Sequence, residues 1–202
     1  MVIFVRIVYM GNRQIGFDIL QFLKRNGQEI IWSTLVGSPL SSNTLLVELQ
    51  PDIGVSIMYP HVIPASTIAL FPRGIINMHP ALLPYCRGRY PALWAIIEHK
   101  PAGATLHYID AGVDTGDIIA QRYIRYRDTD TCRVVYERCI CAGYWVFLDA
   151  WDSIISGTCR RVPQPHHKAT FHRAKEIPHI EKWTDMTVKA IQNEWGGGEL
   201  RQ

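Results

Sequence analysis

Three side chains in this sequence could do chemistry together if the fold brings them close: the amide of Asn77, the imidazole of His79 and the carboxylate of Asp114. An amide N–H can donate to developing negative charge without carrying charge itself. An imidazole ordinarily titrates near neutrality, so it can accept a proton as general base or, once charged, stabilise an anion. A carboxylate can orient that imidazole, favour its protonated form or relay its proton. Asn77 and His79 stand two residues apart at the end of an apolar run, so in a strand their side chains face the same way. Asp114 lies in the tight loop Gly112-Val113-Asp114-Thr115-Gly116, after the strand-like run Thr105–Asp110. Singly, each has a plainer role. An Asn or His at a strand end is usually a cap or a satisfied polar group, and an Asp before Thr-Gly is usually a turn former. Their order, and their joint placement where apolar strands stop, argue for a site, because open α/β sheets place their sites there.

The elements that must position these groups are readable in outline. Ile3–Tyr9 alternates β-formers into Gly11, and Asn12 can cap the helix that follows. Ile15, Ile19, Leu20, Phe22 and Leu23 repeat at helical spacing, with Gly27 as the stop. Glu29–Val36 is the second strand of a Rossmann-like βαβ unit. Its glycines are not the dinucleotide fingerprint and read first as helix packing, although Asn12 and Arg13 could meet an anion at the helix N-terminus. Gly37–Glu48 offers a short polar loop and a brief helix, Asp52–Tyr59 another strand, and the turn 59–64 leads into a short helix near Leu70. Gly74–Met78 is a short central strand, apolar on both faces as buried parallel strands are. Tyr90–His99 is a helix with Leu93, Ile96 and Ile97 inward, and Ala104–Asp110 and Asp117–Arg125 are strands around the Asp114 loop. Asp130–Ser156 is a long helix ended by Gly157, with Val134, Val135, Ile140, Tyr144, Phe147, Leu148, Trp151 and Ile155 as its apolar positions and a Trp-rich face under the sheet. Extended, Pro- and His-containing sequence follows, then a helix over Met186–Trp195 and a frayed tail over Gly196–Gln202.

Asn77-x-His79, then Leu83-Pro84, then Asp114-Thr115-Gly116 resembles the catalytic core of the 10-formyltetrahydrofolate-dependent formyltransferases. Leu83-Pro84-Tyr85-x-Arg87-Gly88-x-x-Pro91-x-x-Trp94-Ala95-Ile96 is most similar to the sugar N-formyltransferases, as is Ala169-Thr170-Phe171-His172-Arg173-Ala174-Lys175. The family usually has a longer segment than Gly37–Glu48, with an additional strand and helix. The resemblance implies an α/β fold with a Rossmann-like, mostly parallel sheet: a catalytic domain over 1–157 and a C-terminal extension over 158–202 at a homodimer interface. It implies 10-formyltetrahydrofolate as formyl donor and the primary amine of a nucleotide-linked amino sugar as acceptor. Asn77, His79 and Asp114 would be catalytic, and either His79 or Asp114 takes the amine proton first. The folate would lie against Tyr59, His61, Ile63, Leu83, Pro84, Asp110, Gly112, Val113 and Asp114, with Thr115 and Gly116 shaping the loop. Asn12, Arg13, Arg87 and Arg89 are candidates for the anionic acceptor; Arg87 has a second reading, ahead of the first, as a guanidinium that locks its loop. His107 reads as a core hydrogen-bonding residue, and Tyr85 and Trp94 as packing for the loop. Other acceptors such as a ribonucleotide amine, hydrolysis of the formyl donor, and a non-enzymatic binding module are the rivals. Hydrolysis is disfavoured because no regulatory domain is expected before the core.

Composition narrows the field further. At 202 residues, 48% hydrophobic and 19% charged, the chain has the make-up of a globular domain with a sizeable core. A net charge of +3 favours an anionic substrate but is too small and too evenly spread for a nucleic-acid surface. No run reaches transmembrane length, and Met1–Met10 reads as a first strand rather than a signal peptide. Five cysteines, odd in number and without zinc-type spacing, read as free thiols in a reducing cytoplasm. His166, His167, His172 and His179 lack a carboxylate or thiolate at ligand spacing, so no metal is expected.

Overall fold

The computed structural model describes residues 5–34, 39–40 and 42–196. The start of the first expected strand, the end of the second, part of the 37–48 segment and the tail over 197–202 lie outside the described residues. Strands β1 (Arg6–Gly11), β2 (Glu29–Thr34), β3 (Ile53–Ile57), β4 (Ile75–His79), β6 (Gly103–Tyr108) and β7 (Ile118–Tyr123) form one sheet in the order β2-β1-β3-β4-β6-β7. The pairs from β2 through β4 are parallel, while β4–β6 and β6–β7 are antiparallel. The sheet is thus mostly parallel and Rossmann-like in its N-terminal half. β4 is the change-over strand, parallel to one neighbour and antiparallel to the other. A second sheet of two short strands joins β5 (Arg87–Gly88) to β8 (Phe171–His172). Among the described residues no helix is long and apolar enough to cross a membrane.

Helix α1 (Arg13–Arg25) starts at Asn12, whose side chain accepts from the Arg13 N–H, and buries Ile15, Ile19, Leu20 and Leu23 as their spacing requires. Gly27, at φ 71°, turns the chain into β2. The short helices α2 (Asn43–Leu49) and α3 (Ala65–Ile68) cover the opposite face of the sheet, where Leu46, Ile63 and Phe71 pack on Val8, Met10 and Ile75.

Helix α5 (Cys132–Ser156) lies on the α1 face, but not on the side that its large residues suggest. Its buried stripe runs through Cys139, Ala142, Gly143, Val146, Phe147, Ala150, Trp151 and Ile154, whereas Trp145 is 53% exposed. Small residues decide the orientation. A Cβ on Gly143 would overlap the Met78 side chain, so glycine there permits helix and sheet to approach closely. Phe147 is fully buried, edge-on to Phe22 and stacked on Trp151. Phe147→Ala is expected to cost about 3–5 kcal/mol of stability, read from urea unfolding.

Helix α4 (Pro91–Ile97) and the start of α5 build another apolar cluster with the C-terminal segment, through Leu93, Trp94, Val135, Ile177, Val188 and Ile191. That segment holds a helix absent from the sequence reading, α6 (Ile180–Thr184), before α7 (Val188–Gly196). Five residues with little periodicity carry too weak a signal to find it from sequence.

Candidate active site

Strand register sets the first part of the site. Ser56 of β3, Asn77 of β4 and His107 of β6 are direct cross-strand partners, so one transverse row of the sheet carries three polar side chains on the same face. They bond along that row. The Ser56 hydroxyl donates to Asn77 Oδ1 (3.2 Å), and Asn77 Nδ2 lies 3.0 Å from His107 Nε2. His107 Nδ1 faces the Tyr108 carbonyl at 2.8 Å and must donate to it, so Nε2 is left to accept from Asn77. Burial holds the His107 imidazole below its ordinary value, against the pull of Asp114, which keeps the ring neutral. Asn77 is therefore fixed at both ends of its amide, with one Nδ2 hydrogen left for a ligand.

His79 follows two residues later on the same face and is buried. Its Nε2 lies 2.9 Å from the Cys86 carbonyl, which can only accept, so Nε2 carries the hydrogen. Nδ1 is thereby the nitrogen available for proton transfer, and it faces Asp114 Oδ2 at 3.5 Å. Asp114 Oδ1 lies 3.7 Å from His107 Nε2, and Oδ2 accepts from the Gly88 N–H at 2.9 Å. Burial raises the Asp114 carboxyl. The facing His79 ring, the Gly88 N–H and the Arg87 charge outweigh it, so the group lies below the usual carboxylate range. Asp114 adopts φ 54°, a left-handed conformation that Asp tolerates better than most residues. The structure thus brings Asn77, His79 and Asp114 together, with His107 as a fourth member that sequence reading placed in the core.

These groups open into a cleft of about 870 Å³. Tyr59, His61 and Ile63 line one wall, and Asp110, Gly112 and Val113 another. Asp110 Oδ1 accepts from the Gly112 N–H (3.0 Å) and the Thr115 hydroxyl (2.5 Å), so this carboxylate also builds the loop. Asn12, Arg13 and Arg89 stand on the rim, and Arg13 donates to Tyr136 of α5. Exposed apolar side chains, Val62 and Val113, flank the mouth.

Three expected contacts fall elsewhere. Leu83 and Pro84 do not line the cleft; they are buried behind it, where the Leu83 N–H donates to Thr105 and its carbonyl accepts from Gln121. Arg87 is also turned away. Its guanidinium donates to Gln164 Oε1 (2.6 and 3.2 Å) and reaches His166 Nδ1 at 3.1 Å. Gln164, buried and fully used, passes this on by donating to the carbonyls of Asp114 and Gly116 (2.9 and 2.7 Å). Arg87 thus braces the Asp114 loop through Gln164, and its side chain is not among those that line the cleft. No local pattern around Gln164 signals the partnership, since its contacts lie about fifty to eighty positions away in sequence.

Relatives fit this geometry. The methionyl-tRNA formyltransferase of Acetivibrio thermocellus is 34% identical over 162 residues, which cover 80% of this chain and 52% of that protein. The chain therefore spans about half the length of that relative. Among solved structures, the formyltransferase PseJ of Anoxybacillus kamchatkensis, in complex with UDP-4,6-dideoxy-4-formamido-L-AltNAc and tetrahydrofolate, is 29% identical. It superposes with a TM-score of 0.81 over 94% of this chain and 99% of that one. An N-formyltransferase of Helicobacter canadensis, 21% identical at a TM-score of 0.74 over 86% of this chain and 72% of its own, shares the fold. The profile described as Formyl transferase matches residues 39–151, more than half of the chain and the stretch that carries Asn77, His79 and Asp114, and the chain belongs to that family.

Proposed function

We propose that this protein transfers a formyl group from 10-formyltetrahydrofolate to the primary amine of a nucleotide-linked amino sugar. The observation that carries formyl transfer is the convergence of Asn77, His79 and Asp114 at the end of β4, beside a cleft of about 870 Å³. The cleft suits the donor: its Tyr59–Ile63 wall and the apolar Ile109 and Val113 match a flat heteroaromatic ring, and it is large enough for a ligand of that size. When bound, the folate supplies the formyl carbon and leaves as the amine.

The chain's own residues then have separate tasks. The acceptor nitrogen's lone pair forms a bond to the formyl carbon as the carbonyl π electrons move onto oxygen. Asn77 donates its remaining Nδ2 hydrogen to that oxygen. His79 Nδ1 accepts the proton that the acceptor nitrogen sheds, and the Asp114 carboxylate stabilises the resulting imidazolium. The proton is finally delivered to the departing folate nitrogen as its bond to carbon breaks, giving a formamide and tetrahydrofolate.

Likeness to PseJ over 94% of the chain, including the segment after α5 that borders the cleft, favours the amino-sugar acceptor. Arg13 and Arg89 on the rim suit a diphosphate. Methionyl-tRNA is the second reading, favoured by the 34% identity to a methionyl-tRNA formyltransferase. We place the protein in the cytoplasm, where its five unpaired thiols would stay reduced, and as a homodimer through the 158–202 extension.

The deciding experiment follows tetrahydrofolate release with a panel of nucleotide-linked amino sugars, the matching hydroxy sugars, methionyl-tRNA and no acceptor. Release is expected only with an amino sugar. Equal release without any amine makes the protein a hydrolase, and release with methionyl-tRNA alone selects the second reading. In the same preparation folate should raise the melting temperature and NAD should not. The reverse would point to a dinucleotide enzyme.

A further inference from the structure

A polar cluster flanks the site where the segment after α5 returns along β5 and borders the cleft. His172 of β8 is buried, with Nε2 at 2.8 Å from Glu98 Oε1 and Nδ1 at 3.1 Å from Glu176 Oε2. Carboxylate oxygens only accept, so both ring nitrogens carry hydrogen and the ring is an imidazolium. It lies flat on the Trp94 indole, with centroids 3.7 Å apart and planes 7° apart, as a cation on a π face does. Glu98 Oε2 accepts from the Thr170 hydroxyl (2.9 Å), whose oxygen accepts from the Cys86 N–H (2.8 Å). The His172 carbonyl accepts from the Arg89 N–H at 2.9 Å.

Residues 86–89 thus have two sides. One is held by the His172 cluster. The other offers the Cys86 carbonyl to His79 and the Gly88 N–H to Asp114. Gly88 stands at φ 87°, and a Cβ there would run into the His172 carbonyl, so this stretch has little freedom to rearrange while β8 stays in place.

We propose that His172 is a positioning residue: clamped as a cation between Glu98 and Glu176 on Trp94, it holds residues 86–89 in the shape that orients His79 and Asp114. Catalytic competence then depends on a proton bound to a ring that takes no part in the transfer. The charged groups around it agree on the direction. Burial works against the cation, but the carboxylates of Glu98, at the end of α4, and Glu176, on the returning segment, prevail and hold the His172 imidazole above its ordinary range. Lys100 bears on Glu98, and Arg173 adjoins the ring in sequence and bears on Glu176. The Cys86 thiol, pushed up to about 12 by burial, stays neutral. A raised folded value means that the clamp is complete at and below the ordinary imidazole value and is lost as pH rises through the folded one. An amine acceptor alone would react faster as pH rises, so the clamp imposes an alkaline fall of opposite sign.

The inference rests on the formyl-transfer reading for its rate measurement only, so its test has an arm free of activity. Imidazole NMR titration of the full chain is expected to show His172, assigned by its loss in His172→Arg, titrating above the ordinary histidine value. Glu176→Gln should lower that midpoint, and the His79 resonances should move with the His172 midpoint in each case. In the rate arm, kcat should fall on the alkaline side with the same midpoint. His172→Gln should lose roughly 100-fold, as a small misplacement of catalytic groups does. His172→Arg, planar and permanently charged, should recover most of that loss and abolish the alkaline fall. A His172 midpoint at or below the ordinary value, or His79 resonances indifferent to it, overturns the clamp. So does an alkaline limb unchanged in both Glu176→Gln and His172→Arg. If no acceptor is formylated while the coupled titration persists, the clamp stands and the transferase reading falls.

Discussion

The His79→Asn variant is expected to turn over about 100- to 10,000-fold more slowly than the wild type while keeping its fold. The reason lies in how the ring is held. Nε2 donates to the Cys86 carbonyl, so only Nδ1 can take a proton from the acceptor amine. An asparagine amide ends near the Nδ1 position, so it gives up the bond to that carbonyl and offers no basic nitrogen on the cleft side. Asn77→Ala acts on the other half of the reaction and should cost about 100- to 1000-fold, the usual loss for one oxyanion donor. It also strands the Ser56 hydroxyl and His107 Nε2, which both bond the amide, so some loss of stability accompanies it. Because the residual turnover of His79→Asn still rests on the oxyanion donor, the double variant should be slower than His79→Asn alone. Near-UV circular dichroism and folate-induced stabilisation check that each variant folds and binds. Turnover within threefold of wild type in His79→Asn, under those controls, removes the mechanism.

Much of this arrangement is legible in the chain because short-range rules suffice for it. Two-residue spacing puts Asn77 and His79 on one face of β4, and the apolar run before them marks the strand. Asn12 and Gly27 bound α1, and the same 3.6-residue spacing that predicts its buried face is obeyed. What is not legible depends on pairings between distant segments. His107 joins Asn77 only through the register of an antiparallel pair, and period-2 alternation cannot supply register. Gln164 and His172 reach the site from beyond α5, across contacts with no local signature. The buried stripe of α5 was hidden for another reason. Reading large apolar residues finds Trp151 and Phe147 but misses Ala142 and Gly143, whose smallness brings the helix close to Met78. The Leu83-Pro84 pair shows the same limit in reverse. Residues near the site in sequence serve as its backing because their backbone groups find partners in Thr105 and Gln121.

Asp114→Asn is the sharper test of the shared geometry, because it alters charge and almost nothing else. The amide oxygen can still accept from the Gly88 N–H, so residues 86–89 and the loop should stay in place. What disappears is the negative charge 3.5 Å from His79 Nδ1, which in the wild type favours the imidazolium formed during transfer. Turnover should fall by up to about 10,000-fold, as when an amide replaces the carboxylate that orients a catalytic imidazole. Stability gives an independent readout with a defined sign. The folded carboxyl lies below its usual range, so its contribution is complete above the unfolded value of about 3.9 and is lost as pH falls through the lower folded one. The difference in unfolding free energy between wild type and Asp114→Asn should therefore shift against the wild type as pH falls below about 4. Urea unfolding at several pH values measures it. A pH-independent difference would mean that His79 and the Gly88 N–H do not stabilise this carboxylate, and activity within tenfold of wild type would remove Asp114 from the reaction.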